Sequence, residues 1–349
     1  MHRTRLLAAV ALLVAAVAAP VRAGEAGAAG TAAVHRFQLP AHSRLDAGGA
    51  RSLRSAGWPG GTYTTHTGER VTVFVSTAYV NPDEVGLRWA NFLASLLHGS
   101  ELALVRAHVA PLPEVEDFCE ARALGCYGGN TLISIGEPVA DVSAEEVMRH
   151  EYGHHVAANR QNPPWAAIDW GTKRWASAAD VCARVAGQTA FPGDEGLYYS
   201  HNPGEAFAEA YRVLNEVRSG RNSFSWTLAD PSFSPDEREL DAIEDDVLQP
   251  WAPSPQRLVT GRFRGEARRW THSIATPLDG DLELSLRMPV GGGHTLELLD
   301  SRGAVVARGY WSASGVRTLR YRICGQRSVR VRVGRASGEP RFQVRVNLP

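Results

Sequence analysis

The stretch Ser143-Ala-Glu-Glu-Val-Met-Arg-His-Glu-Tyr-Gly-His-His-Val-Ala-Ala158 decides how the chain is read. Ser143 followed three residues later by Glu146 is a capping box, in which each side chain satisfies an amide that the first helical turn leaves unpaired. A helix is therefore expected through Val147 to about Ala158. Within it His150 and His154 are four apart, so they lie about 40° apart around the axis and one turn along it. Both imidazoles can reach one ion. Zinc favours such nitrogen ligands, and a catalytic zinc keeps three protein ligands with one position open. Glu151 projects toward the same cleft, where its carboxylate can serve as general base to a zinc-activated water attacking a carbonyl. The plain alternative is a pair of histidines satisfied on a polar helix face. A capped helix, a strand ahead of it and a suitable third ligand downstream weigh against that alternative.

The third ligand comes from a second helix, capped by Asn202 with Pro203 behind it and carrying Ala206, Phe207, Ala210, Tyr211 and Leu214 up to about Gly220. On it Glu205 and Glu209 are one turn apart on one face. One can bind the metal while the other accepts a hydrogen bond from a ligand histidine and fixes its tautomer. The motif does not continue as HExxHxxGxxH, because Ala157 stands at the glycine and Arg160 at the third histidine. That excludes the metzincin pattern. With these two motifs the chain resembles the gluzincins, a thermolysin-like group of metallopeptidases. The resemblance implies Glu205 as third ligand and Glu209 as support for the first histidine.

Glu205 follows the second histidine by 51 residues, and Glu205-Ala-Phe-Ala-Glu-Ala-Tyr-Arg212 looks more like the anthrax lethal factor-like peptidase domain. In that family a tyrosine seven residues before the ligand faces the metal and stabilises the oxyanion. Tyr198 holds that spacing, with Tyr199 and His201 as neighbouring candidates. The resemblance covers about Glu145–Arg212 and implies an α+β zincin-like catalytic domain. The expected activity is that of a secreted zinc-dependent endopeptidase. The rival expectation is a secreted zinc-binding or envelope-binding protein without turnover.

Upstream of the motif, Val71–Ser76 reads as a buried strand, and a helix begins at Asn81 and Pro82 with Leu87, Ala90, Phe92, Leu93, Leu96 and Leu97 as its apolar stripe, ended by Gly99. Glu101–Ala110 reads as the next strand and Thr131–Ile135 as an edge strand before the motif helix. Pro163-Pro-Trp-Ala-Ala-Ile-Asp-Trp-Gly171, with Trp175, either lines a substrate cleft or packs in the core. An acidic helix, Asp236 to Leu248, leads to the proline-rich run 249–255, which closes a catalytic domain of 59–248.

From Gln256 the pattern changes to alternation, as in Asp281–Leu286, Thr295–Leu298, Ser328–Val333 and Phe342–Val346. This predicts an all-β sandwich over 256–349, arginines outward. It resembles the bacterial pre-peptidase C-terminal domain, which implies a role in secretion or surface attachment. The region carries seventeen Arg against seven acidic residues, a net of +10 in a chain of net charge zero. Such a surface can dock on an acidic cell-envelope polymer. The neutral total gives no reason to expect nucleic acid as a partner, and a composition of one Lys and 36 Arg explains the bias without a partner.

Residues 1–23 read as a signal peptide, since a basic start precedes an apolar run from Leu6 to Ala19, shorter than the ~20 residues that cross a bilayer. Residues 24–58 read as a linker or pro-segment. No later stretch is long enough to span a membrane. Four cysteines, Cys119, Cys126, Cys182 and Cys324, fit an exported chain with disulfides. Cys119 and Cys126 can close a local loop, leaving Cys182 and Cys324 to tie the domains, though spacing does not choose among three connectivities.

Overall fold

A computed structural model describes residues 44, 45, 48, 49, 53, 56–287, 293–311 and 316–349. The signal peptide expected over 1–23, and most of the linker or pro-segment expected over 24–58, lie outside the described residues. The first sheet is built from β1 (Gly60–Thr64), β2 (Arg70–Val75), β3 (Arg106–Ala110), β4 (Gly125–Gly128) and β5 (Thr131–Ile135), ordered β1-β2-β3-β5-β4. The central pairs β2–β3 and β3–β5 are parallel, whereas β1 and β4 run antiparallel at the edges. All of β5 is buried, which is why Thr131–Ile135 is a continuous rather than an alternating run.

Around this sheet lie α1 (Pro82–Ser95), α2 (Leu112–Phe118), α3 (Ala144–Ala158), α4 (Ala167–Trp170), α5 (Lys173–Ala178), α6 (Val181–Ala186), α7 (Pro203–Arg218) and α8 (Glu237–Leu248). The motif helix α3 packs on β4, β5 and α7. Its capping box is formed as the sequence requires: Ser143 Oγ accepts from the Glu146 amide and Glu146 Oε2 from the Ser143 amide. Asp236 and Glu239 repeat the device on α8.

Four sequence expectations need correction. Asn81 sits in the left-handed region and its side chain caps nothing, so α1 starts on the fixed φ of Pro82 alone. Leu87 is exposed, whereas Ala90, Leu93, Leu96 and Leu97 are buried as expected and Gly86 and Trp89 complete the buried face. Glu101–Ala110 is strand only from Arg106, because Ser100–Leu104 is a 3₁₀ turn. The cause is Glu101 itself. Its buried carboxylate accepts from the Gly99 amide at 2.8 Å and from Arg160 at 2.7 Å, which curls the chain back on itself. Thr131–Ile135 is also not the edge strand; β4 lies outside it.

The C-terminal region holds two antiparallel sheets, ordered β10-β9-β13-β7 and β11-β12-β8-β14-β6. Their strands are β6 (Arg257–Arg262), β7 (Arg269–Ala275), β8 (Gly280–Arg287), β9 (His294–Leu299), β10 (Val305–Arg308), β11 (Tyr310–Trp311), β12 (Arg317–Ile323), β13 (Ser328–Arg335) and β14 (Arg341–Asn347). Leu282, Leu284, Leu298, Val331, Phe342 and Val344 from the two sheets share one core. Outward arginines meet carboxylates directly across the ladder: Arg320 with Glu283, Arg322 with Asp281, Arg332 with Glu297.

Both disulfides form, Cys119–Cys126 beside β4 and Cys182–Cys324 between α6 and the end of β12. Near the second bridge Lys173 Nζ donates to the carbonyls of Pro163 and Asp279, at 2.8 and 2.6 Å. Arg327 pairs with Asp279, and Ser177 Oγ accepts from the Asp279 amide at 3.0 Å. The described residues form one compact unit across this junction. No helix among the described residues is long and apolar enough to cross a membrane.

Candidate metal centre

The contact between α3 and α7 creates the site. A Cβ on Gly153 would lie 2.8 Å from the Ala208 Cα, so the absence of a side chain there lets the two helices meet backbone to backbone. That approach brings His150 and His154 of α3 against Glu205 of α7. His150 Nε2 is 3.2 Å from Glu205 Oε2, His154 Nε2 is 3.3 Å from the same oxygen, and the two Nε2 atoms are 3.2 Å apart. All three residues are buried.

These distances test the fit to a metal. Ligands held about 2.0–2.1 Å from a tetrahedral ion are separated by about 3.3 Å, the edge of the tetrahedron. The three donors therefore form one face of a tetrahedron of the right size, and the group can hold a metal ion. The charge balance agrees. Burial opposes a proton on His150, yet its hydrogen bonds to Glu205 and Glu209 outweigh that and push its pKa up to about 10. A pocket negative enough to do this favours any cation among the same donors.

Glu209 lies behind the triad. Its Oε2 is 3.2 Å from His150 Nδ1, and Arg212 holds it from the other side through Nε at 3.0 Å and Nη2 at 2.7 Å. Burial opposes its charge, but His150 and Arg212 prevail and hold its carboxyl at about 2. Glu209 thus stays ionised and accepts the Nδ1 proton, so Nε2 is the nitrogen that faces Glu205 and His154 and that would bind an ion in place of its proton.

Glu151 is fully buried and lines the same cleft as His154 and Glu205. A Cβ on Gly125 of β4 would lie 2.8 Å from its Oε1, so the glycine leaves room for the carboxylate. The third histidine of the run plays a different part. His155 Nε2 bonds the Glu101 carbonyl at 2.8 Å and its ring faces Tyr127, fastening α3 to the fold.

Tyr198 does not reach this group. Its ring stacks on Phe191 at 4.0 Å and is 42% exposed, whereas the hydroxyl of Tyr199 donates to Glu205 Oε2 at 2.7 Å. The 3₁₀ turn Tyr199–His201 explains the exchange: successive residues there are turned by about 120°, so neighbouring tyrosines face different ways. His201 points away, 3.6 Å from Asp230. The segment 163–175 divides as well. Trp165 lines the cleft and stacks on Trp170, while Trp175 is buried against Phe207 in the core.

The cleft has a volume of about 630 Å³ and runs past Tyr127, Glu151, His154, Trp165, Ile168 and Glu205. Strand β4 forms one wall. No protein family matches the chain, and no curated protein is similar to it. Among solved structures, it is similar to the pre-peptidase C-terminal domain of a collagenase from Bacillus anthracis. Identity is 13% over 26% of this chain and 86% of that chain, with a TM-score of 0.21, too slight a likeness to bear on fold or function.

Sequence reasoning overlooked Gly125, Tyr127 and Arg212. Arg212 carried a readable signal, since it stands three residues after Glu209 on the same helix face. The β4 residues did not, because Gly-Cys-Tyr-Gly lacks the β-branched content of a strand.

Proposed function

We propose that the chain is an exported zinc-dependent endopeptidase with a zincin-like catalytic fold. The observation that carries this reading is the triangle of His150, His154 and Glu205 donors with the dimensions of a tetrahedral face. Two imidazoles and one carboxylate, all buried, suit zinc better than the all-oxygen sites of magnesium or calcium. Zinc held there supplies Lewis acidity that lowers the pKa of water to ~7 and polarises a carbonyl.

The remaining chemistry belongs to the chain. Glu151 accepts the proton of the attacking water and returns it to the leaving amine. Glu209 and Arg212 keep His150 in one tautomer, and Tyr199 orients Glu205. The antiparallel edge strand β4 offers its backbone to an extended peptide, the usual mode of strand addition. Two disulfides and the leader-like residues 1–23 support export. An oxyanion role for Tyr198 is not carried forward, given its stacking on Phe191.

The test joins zinc stoichiometry to chelator-sensitive cleavage of a mixed peptide library. One zinc per chain with cleavage that chelation removes is expected. Glu151→Gln should keep the zinc and lose turnover by about 10²-fold or more. One zinc per chain with no cleavage of any peptide would leave a metal-binding protein and overturn the peptidase.

A further inference from the structure

A short piece of this chain from ahead of the first sheet forms part of the wall of the cleft beside the metal centre. Arg44 and Leu45, from the stretch read as a linker or pro-segment, line it together with Glu151, His154 and Glu205. Leu45 lies on the edge strand. Its amide donates to the Tyr127 carbonyl of β4 at 3.1 Å, it is 5% exposed, and a side chain on Gly128 would overlap its carbonyl. This is how an added strand docks on an open sheet edge.

The neighbouring Arg44 side chain is held by two carboxylates. It pairs with Asp169 of α4 and, through Nε at 3.0 Å, with Glu195. The acidic pair is itself positioned by the fold. Asn202, whose Oδ1 caps α7, donates through Nδ2 to Glu195 Oε1 at 3.3 Å. Gly193 approaches Asp169 closely enough that a Cβ would lie 3.1 Å from its Oδ1. Glu195 also lies within electrostatic reach of Glu205 and Glu151. Through Arg44, which lines the cleft, the pair Asp169 and Glu195 is joined to the carboxylates Glu151 and Glu205 of its wall, and a lone surface ion pair would need no such concentration.

The geometry points to a specificity subsite: Asp169 and Glu195 receive the arginine or lysine side chain of a peptide lying along β4 with an apolar residue next to it. Arg44–Leu45 is the intramolecular occupant of that subsite. The proposal rests on the peptidase reading for what happens to the peptide, but the recognition itself does not need catalysis. Two consequences follow from one geometry. The chain covers its own β4 edge and acidic pair while Arg44 is seated, and the peptides it accepts carry a basic residue beside an apolar one.

The experiment uses the full chain and two fluorescein-labelled alanine-flanked peptides, one containing Arg-Leu and one Glu-Leu. Binding is followed by fluorescence anisotropy. Arg44→Ala is expected to bind the Arg-Leu peptide about tenfold more tightly than the unsubstituted chain does, and about tenfold more tightly than it binds Glu-Leu. Adding Asp169→Asn and Glu195→Gln should erase the difference between the peptides. If that triple variant does not fold, Arg44→Ala with Asp169→Asn alone must narrow the difference. The subsite is overturned if Arg44→Ala gains no affinity, if both peptides bind it equally, or if the preference survives removal of the carboxylates. Cleavage assays on the same peptides, with zinc, keep the two readings apart. A binding preference with neither peptide cut removes the peptidase and keeps the subsite. Equal binding and equal cutting of both keeps the peptidase and removes the subsite.

Discussion

Replacing Gly153 with alanine puts a methyl group where α3 and α7 touch. The new Cβ would lie 2.8 Å from the Ala208 Cα and 2.9 Å from its carbonyl oxygen, against about 3.5–4.0 Å for ordinary carbon contacts. These are backbone atoms, so no rotamer change relieves the clash. The helices must separate by about 1 Å. On stability alone the outcome is mixed, since alanine gains about 1 kcal/mol in helix propensity while overpacking costs about 1–3 kcal/mol. The metal centre is far less forgiving. His150 and His154 lie on one helix and Glu205, one turn before Ala208, lies on the other. Metal–ligand distances tolerate about 0.2 Å. Zinc affinity should therefore fall by about 100-fold or more, beyond the 10–100-fold typical of lost outer partners. Competition with a chromophoric chelator measures the affinity, and thermal melts in excess chelator measure the fold separately. An affinity equal to that of the unsubstituted protein would refute the claim that this helix contact sets the donor triangle.

Tyr199→Phe should weaken zinc binding by about tenfold, because it deletes a hydrogen bond to an ionised ligand, while Tyr198→Phe should leave zinc titrations unchanged. An equal effect of both would show that Tyr199 does not position Glu205. Changing Cys182 and Cys324 together to serine should cost about 2–5 kcal/mol in urea unfolding, since the bridge closes a span of 142 residues. A negligible loss would mean that the polar contacts of Lys173, Arg327 and Ser177 hold the junction unaided. Burial brings the Lys173 amine down to about 8 from its ordinary 10.5. Between those values the unfolded chain binds more protons than the folded one, so this residue's contribution to stability rises with pH from about 8 to 10.5. Unfolding free energies of Lys173→Met, compared with the parent at pH 8 and pH 10, should lack that rise; an identical slope in both proteins would contradict it.

What could be read from the sequence was local. Ser143 and Glu146 write their helix start into four adjacent residues, and Asp236 and Glu239 do the same, so α3 and α8 were legible. The histidine and glutamate pairs were legible because helical spacing alone fixes a shared face. Failures arose where a distant partner overrode local preference. Glu101 sits in a strand-like run, but Arg160 and the Gly99 amide bend it into a 3₁₀ turn. Strand β4 was invisible because Gly125 and Gly128 were chosen to admit Glu151 and Leu45, not to favour extended backbone. Counting back seven residues from Glu205 landed on Tyr198 because a residue count carries no rotation. The turn at Tyr199–His201 decided which ring faces inward.

The chain's single lysine has a practical consequence. Lys173 is fully buried with its amine engaged by two carbonyls, so the folded protein presents no side-chain amine to solvent. Acylating dyes and amine cross-linkers will find only the chain terminus on the native molecule, and a lysine-specific protease will find no accessible bond. The first modification at Lys173 then marks the moment the junction opens, which makes this one side chain a built-in clock for unfolding.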